Sequence, residues 1–168
     1  MYHKRLRAYK KIGYELALDL SSKKQKTNAI FDAETYNTVY ATDLFQANSE
    51  IVISSPGINA TKVRQLILAV SSKLAQGVKV SVITIPSSEY PDNRIEPTKR
   101  LIDELRQSGI YVKHAPGTHE HFAVVDKEVV WYGSMNMLSR EKTDDNLIRE
   151  RCKEIAEELL EIGFGNTI

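Results

Sequence analysis

The chain has 168 residues, 42% of them hydrophobic and 27% charged, which is typical of one globular domain that buries its own core. No apolar run approaches the roughly 18 residues that cross a membrane, and no apolar segment follows the basic N-terminus as in a secretory signal. The single cysteine cannot form an internal disulfide. We therefore expect a soluble cytoplasmic protein with no membrane partner.

The first predicted element is an amphipathic helix over residues 2–20, followed by a polar linker. Residues 1–26 hold eight basic and two acidic side chains, a net +6, whereas the rest holds 15 basic and 20 acidic ones, a net −5. Such a basic arm is typical of polyanion binding, and a solvated helix face is the alternative. Its candidate nucleic-acid-binding residues are Lys4, Arg5, Arg7, Lys10 and Lys11.

From residue 28 onward strand and helix patterns alternate, which predicts one α/β domain over residues 27–168. The early strands are separated by helices and so predict parallel crossovers, whereas residues 126–128 predict a hairpin. We expect a mixed β-sheet flanked by helices on both faces. The predicted strands are 28–31, 50–54, 78–85, 110–113, 122–125, 129–132 and 146–149. The predicted helices are 33–47, 61–76, 96–107 and 155–162, and residues 86–94 are predicted to form a polar loop.

Residues 119–136 contain the side chains that carry chemistry. His119 and His121 are two apart, so on a strand they would project from one face. Ser134 and Asn136 follow the next predicted strand and supply a hydroxyl and an amide close to backbone N–H groups. An imidazole that titrates near neutral pH, together with neutral donors, suits the handling of a phosphate.

This stretch resembles the phospholipase D-like superfamily, whose motif is His-x-Lys-x4-Asp-x6-Gly-Ser-x-Asn. Every spacing matches, and five of the six defined residue types agree. The exception is the motif lysine, which is His121 here. The likeness extends over roughly residues 28–162 and implies a phospholipase D-like α/β fold. The matching positions are His119, His121, Asp126, Gly133, Ser134 and Asn136.

The resemblance implies a role for each matching residue and requires no metal or other cofactor. His119 would be the nucleophile that forms a phosphohistidine. Asp145, which is followed by Asn146 as in the family's carboxylate element, would orient it. Asp126 completes the catalytic set, with a mainly structural role at the hairpin. The substrate phosphate would be bound by His121, Ser134 and Asn136.

The family builds each active centre from two motifs, and this chain has one. The resemblance therefore implies a homodimer in which a second copy supplies the other half. The basic arm favours nucleic acid as substrate, with DNA ahead of RNA. The predicted function is that of a metal-independent nuclease. One alternative is a catalytically weakened nucleic-acid-binding module, of the kind that forms part of a larger helicase or restriction protein. The other is a phospholipid-headgroup enzyme.

The histidine at position 121 leaves open how the site works. A free imidazole with a pKa near 6.5 is about a quarter protonated at pH 7, whereas a lysine is fully charged. The histidine side chain is also shorter than that of a lysine. Two further readings of His119 and His121 remain: ligands of a metal ion together with a nearby acid, and ordinary hydrogen-bonded strand residues.

Overall fold

The computed structural model describes residues 29–139 and 145–165, which form a seven-stranded mixed β-sheet with helices on both faces. The strands are β1 Ala29–Asp32, β2 Glu50–Ser54, β3 Lys79–Thr84, β4 Tyr111–His114, β5 Phe122–Val125, β6 Val129–Gly133 and β7 Asn146–Arg151. The helices are α1 Tyr36–Phe45, α2 Ala60–Ala75, α3 Asp92–Gln107 and α4 Lys153–Phe164. The predicted fold class is confirmed. The predicted helix over residues 2–20, and the boundary between arm and domain, lie outside the described residues.

The strand order is β1-β7-β6-β5-β2-β3-β4, with β2, β3 and β4 parallel and every other pair antiparallel. Ser54 at the end of β2 pairs with Phe122 at the start of β5, and Phe122 pairs with Tyr132 near the end of β6. Gly133 in turn pairs with Leu147 near the start of β7. We call the end of the sheet where β2, β3, β4 and β6 finish and β5 and β7 begin the motif end.

The two faces of the sheet are buried by different helices. Ile51, Ile53 and Trp131 belong to a large apolar cluster with side chains of α1, α2 and α3. Val52 and Phe122 point the other way and belong to a smaller cluster with side chains of α4. The alternation along β2 follows from the two-residue period of a strand. Both faces of the central strands are therefore dry.

A buried ion pair ties α1 to the antiparallel half of the sheet. Asp43 receives two hydrogen bonds from the Arg149 guanidinium, at 2.7 and 2.9 Å, and one from Trp131 Nε1 at 2.8 Å. The side chains of Asp43 and Arg149 are only 7% and 9% exposed. Removing one partner of such a pair leaves an unpaired charge in the core. The network therefore holds β6 and β7 in register under α1.

The predicted loop over residues 86–94 extends three residues too far, and it contains a turn that the sequence did not predict. Residues Ser87–Glu89 form a turn of 3-10 helix, and α3 begins at Asp92, one turn before the predicted start at residue 96. The first three residues of α3 are exposed, so they carry no apolar periodicity that would have extended the predicted helix. Asp92 is an acidic first-turn residue, which favours a helix start.

The β5–β6 hairpin turns through two residues in the left-handed region, Asp126 at φ 55° and Lys127 at φ 57°. A two-residue turn of this type favours Gly at its second position because a Cβ crowds the backbone there. Lys127 is exposed, and its side chain makes no hydrogen bond within the described residues. The turn therefore carries strain that a glycine would relieve.

We predict that Lys127→Gly raises the free energy of unfolding by about 0.5–1 kcal/mol, since relief of the left-handed strain exceeds the entropy cost of glycine. Urea denaturation of the two proteins measures the difference. Lys127→Ala, which removes the same charge and keeps the Cβ, is the control and should not be stabilising. Equal stability of the glycine and alanine variants would contradict the prediction.

Candidate active site

Five of the six predicted motif-region residues lie at the motif end of the sheet. His119 and His121 precede β5, Ser134 and Asn136 follow β6, and Asp145 precedes β7. The antiparallel connections between these strands return the chain to the same end each time. Residues up to 26 positions apart in sequence are thereby brought to one place.

The two histidines lie in an irregular segment directly before β5, so the face-sharing expected for two residues of one strand does not apply to them. The segment is held on both sides. Ser54 Oγ donates to the carbonyl of Glu120 at 2.8 Å, and Gly133 N donates to the carbonyl of His121 at 3.3 Å. His119 is exposed, whereas His121 is half-buried. The backbone that carries both imidazoles is therefore fixed, while His119 remains open to solvent.

The surroundings of His121 favour its neutral form. Burial lowers the pKa of this imidazole, and the nearby carboxylates of Asp145 and Glu120 raise it by a smaller amount, as does a hydrogen bond at Gly133. His119 lowers it slightly further, so the net pKa lies below the ordinary value. At neutral pH His121 is thus a neutral hydrogen-bonding group, unlike a lysine ammonium at the same position.

Gly133 is required by the close approach of β7. A Cβ at this position would lie 2.1 Å from the carbonyl oxygen of Asn146, a backbone atom that cannot move without breaking the strand pairing. The next residue, Ser134, then bonds to β7 through its backbone, donating to the same oxygen at 3.0 Å. This is a physical reason for glycine in the Gly-Ser-x-Asn sequence.

The Ser134 hydroxyl is engaged within the protein. It accepts from Asn146 N at 3.1 Å and donates to Asp145 Oδ1 at 3.2 Å. A hydroxyl has one proton, so Ser134 can donate to a phosphate only by releasing Asp145. The arrangement also holds the Asp145 carboxylate near His121, on whose pKa it acts. Among the described residues, no hydrogen bond joins Asp145 to His119.

The Asn136 side chain is oriented by contacts with Gly57 N and with the Ser55 hydroxyl, whose one proton lies between Asn136 Oδ1 and the Gly57 carbonyl. Ser55 Oγ lies 2.7 Å from its Oδ1, and Gly57 N donates to the same oxygen at 3.2 Å. The neighbouring Met135 and Met137 are buried in the large apolar cluster and fix the loop on either side. The amide oxygen of Asn136 faces the protein, and within residues 29–139 and 145–165 its amide nitrogen donates to no acceptor.

Asp126 does not belong to this group, which corrects its place among the catalytic candidates. It follows the last residue of β5. Its position is five residues after His121, which corresponds to about 16 Å at the rise per residue of a strand. Its carboxylate accepts hydrogen bonds from the backbone N–H groups of Asn48, Ser49 and Glu50, at 2.8–3.1 Å, and from Ser49 Oγ at 2.9 Å. It therefore fixes the start of β2 against the hairpin.

Asp126 should make stability depend on pH. Burial raises the pKa of its carboxyl, but the hydrogen bonds from residues 48–50 outweigh burial and hold the pKa below its usual value. A group whose pKa is lower in the folded state stabilises the fold above its unfolded pKa. That stabilisation is lost as pH falls through the folded pKa.

We predict that Asp126→Asn lowers the free energy of unfolding by about 1–3 kcal/mol at pH 7. A neutral amide oxygen is a weaker acceptor than a carboxylate, and the amide NH2 group would face the backbone N–H donors of residues 48–50. Urea denaturation at pH 7 and at pH 3.5 should show the difference from wild type shrinking at the lower pH. Asp103→Asn, at an exposed position on α3, is the control. An equal loss at both pH values would refute this account of the charge.

Buried polar residues that no sequence motif indicates support the site. Ser54 and Ser55 are fully buried, and they bond to the Glu120 carbonyl and to Asn136 respectively. The Pro56-Gly57 pair indicated only the end of a strand. A buried Ser in an apolar strand is a weak signal, since a single sequence does not reveal what its hydroxyl contacts.

Other predicted features fall outside this region. Lys4, Arg5, Arg7, Lys10 and Lys11 lie outside the described residues. Within residues 29–139 and 145–165, no three His, Cys, Asp or Glu side chains lie close enough together to hold a metal ion. No helix in the same ranges is both long and apolar enough to cross a membrane.

Known proteins share this architecture. Residues 40–162 match the family model described as cardiolipin synthase, PLD-like domain. A search of curated proteins finds no significant match. Among solved structures, the phospholipase D family member Nuc from Salmonella typhimurium gives a TM-score of 0.65 at 16% identity, over 82% of this chain and 91% of that chain.

Two further solved structures resemble the chain. NucT from Helicobacter pylori gives a TM-score of 0.59 at 16% identity, over 82% of this chain and 92% of that one. TrmBL2, an archaeal chromatin protein described as showing a novel mode of DNA binding, gives 0.55 at 17% identity, over 97% of this chain and 62% of that one. At such identities the likeness demonstrates a common fold.

Proposed function

We propose that this chain, which belongs to the phospholipase D-like family, is a phosphodiesterase that cleaves nucleic acid in an active centre shared by two copies. The observation that carries the proposal is the grouping at the motif end. An exposed imidazole, His119, lies on a fixed backbone segment at the same end of the sheet as Asn136, whose amide nitrogen donates to no described residue. An imidazole nucleophile and neutral donors suit a phosphoryl group.

In the proposed first step, a ring nitrogen of neutral His119 attacks phosphorus. A P–N bond forms and the P–O bond to the leaving nucleotide breaks, with a proton passing to the leaving oxygen. In the second step water attacks the phosphohistidine and gives its proton to the group that had protonated the leaving oxygen, and the P–N bond breaks. Two steps replace one difficult displacement, and the phosphoryl oxygens accept hydrogen bonds from Asn136 and His121 throughout.

The leaving oxygen needs an acid on the side of phosphorus opposite the nucleophile, because the displacement is in line. Within the described residues, the other imidazoles are poorly located for this task. His121 is on the same short segment as His119. His114 contacts Arg106 at 3.3 Å and ends β4, three strands or about 14 Å from β5. We therefore assign the acid to His119 of a second copy related by a two-fold axis.

Nucleic acid is the proposed substrate because of the charge distribution. Residues 1–26 carry a net +6, which would contact a phosphate backbone, whereas the rest of the chain carries a net −5. The likeness to TrmBL2, described as binding DNA, is consistent with DNA as the polymer. The shared fold alone does not carry this assignment.

A separate observation, the neutral state of His121, favours a second candidate function. Since burial keeps His121 neutral at neutral pH, the site lacks the cation that the family's motif lysine supplies. A site with neutral donors can bind a phosphate and still stabilise the transition state poorly. The alternative is a nucleic-acid-binding module of the same fold with little turnover.

We predict that phosphodiesterase activity rises as pH falls from 8 toward 6, since His121 gains a proton only below its lowered pKa and a bound phosphate raises that pKa. His121→Lys stays charged over this range, so its rate relative to wild type should be highest at pH 8 and fall with pH. Nicking of plasmid DNA in EDTA measures both profiles.

His119→Ala is the control for contaminating nuclease and should show no nicking. A constant ratio of the His121→Lys and wild-type rates across the pH range would refute the assigned role of His121. DNA binding by the wild type without nicking at any pH, together with an active His121→Lys variant, would favour the binding module. A protein that remains monomeric on DNA and still turns over would rule out the shared centre.

A further inference from the structure

The last residue of β2 and the residue after it are buried serines in an otherwise apolar strand. Ser54 and Ser55 are both 0% exposed, and they follow Ile51, Val52 and Ile53. A buried hydroxyl costs free energy unless it is hydrogen-bonded. Consecutive strand positions face opposite sides of the sheet, so the two hydroxyls serve different neighbours.

Ser54 bonds to the histidine segment. Its Oγ donates to the Glu120 carbonyl at 2.8 Å, and this carbonyl belongs to the residue between His119 and His121. The segment lies before the first ladder residue of β5, so strand pairing alone does not hold it. The Ser54 hydroxyl therefore takes the place of a backbone–backbone hydrogen bond to the Glu120 carbonyl, just before the first residue of β5.

Ser55 bonds to the other half of the motif. Its Oγ lies 2.7 Å from Asn136 Oδ1 and 2.7 Å from the Gly57 carbonyl, and it accepts from Leu138 N at 3.1 Å. The loop after β6 is also held by Asn59 N, which donates to the Leu138 carbonyl at 2.7 Å. Ser55 thus connects the end of β2 to both the backbone and the side chain of the Asn136 loop.

The orientation of the Asn136 amide follows from these contacts. Gly57 N–H is a donor only, so the atom facing it must be the amide oxygen. A Cβ at Gly57 would lie 3.2 Å from Asn136 Nδ2, so a glycine leaves room for the amide in this position. No described residue accepts a hydrogen bond from Nδ2, and its N–H groups are available to a phosphoryl oxygen.

We propose that Ser54 and Ser55 are positioning residues. Together they hold the histidine segment before β5 and the Asn136 loop after β6 in fixed positions relative to the end of β2. Neither touches substrate. Ser54 sets the backbone from which His119 attacks, and Ser55 keeps the Asn136 amide nitrogen directed away from the protein. The effect on rate rests on the proposed phosphodiesterase function, whereas the effect on geometry does not.

The test compares Ser54→Ala, Ser55→Ala and Ser55→Cys with Thr84→Val. Thr84 is a matched control because it is also a 0% exposed hydroxyl at the motif end, and its Oγ1 donates to the Pro56 carbonyl at 2.8 Å rather than to a motif residue. Ser55→Cys keeps the volume and loses the strong donor, which separates the hydrogen bond from a cavity effect.

For each folded variant, kcat and KM on plasmid DNA and a crystal structure are measured. We expect kcat to fall about 10–100-fold in the Ser54 and Ser55 variants with little change in KM, because a misplaced group affects the transition state most. Thr84→Val should stay within about threefold of wild type. The crystal structures should show residues 119–121 displaced in Ser54→Ala and the Asn136 amide rotated in both Ser55 variants.

Equal kcat in the serine and threonine variants, or an unmoved histidine segment and Asn136 amide, would overturn the positioning roles. A wild type without turnover would refute the proposed function alone, since the variant crystal structures still decide the geometry. If a variant fails to fold, the remaining variant at Ser55 and the variant at Ser54 each provide a separate comparison.

Discussion

The antiparallel pairing of β5, β6 and β7 is the constraint on which the candidate site depends. It returns the chain to one end of the sheet three times, so that the segment before β5, the loop after β6 and the residue before β7 meet. Gly133 permits this pairing, because any side chain there would collide with the β7 backbone. The buried Asp43–Arg149 pair, with Trp131, then fixes β6 and β7 beneath α1. The exposed side chains at the motif end are thus supported by a fully buried interior.

Polar groups at the two ends of β5 illustrate opposite uses of charge. At the far end, the Asp126 carboxylate is stabilised by backbone donors, and its lowered pKa keeps it ionised as a structural anchor. At the motif end, burial keeps His121 neutral, and Asn136 offers an amide whose oxygen is already satisfied. The free site therefore presents neutral donors, and we infer that the positive charge needed for catalysis is acquired by protonation when a phosphate is bound.

Most of the fold could be predicted from the sequence because its signals are local. The apolar run of β2, the alternation along β3, the apolar face of α2 and the spacing from His119 to Asn136 can each be recognised within one short stretch of sequence. The first turn of α3 was missed because it is exposed and polar. The roles of Asp126 and Ser55 were hidden for a different reason. Their partners lie 76–78 and 81 residues away, and no pattern in one sequence links them.

The central claim is that His119 becomes covalently phosphorylated in a centre completed by a second copy. The most direct measurement is mass spectrometry of protein quenched during turnover of DNA in EDTA at pH 6, under conditions that preserve phosphohistidine. The account predicts a nucleotidyl adduct, attached through phosphorus, on the peptide containing His119, at no more than one adduct per two chains. Turnover without an adduct at His119, or one adduct on every chain, would contradict it.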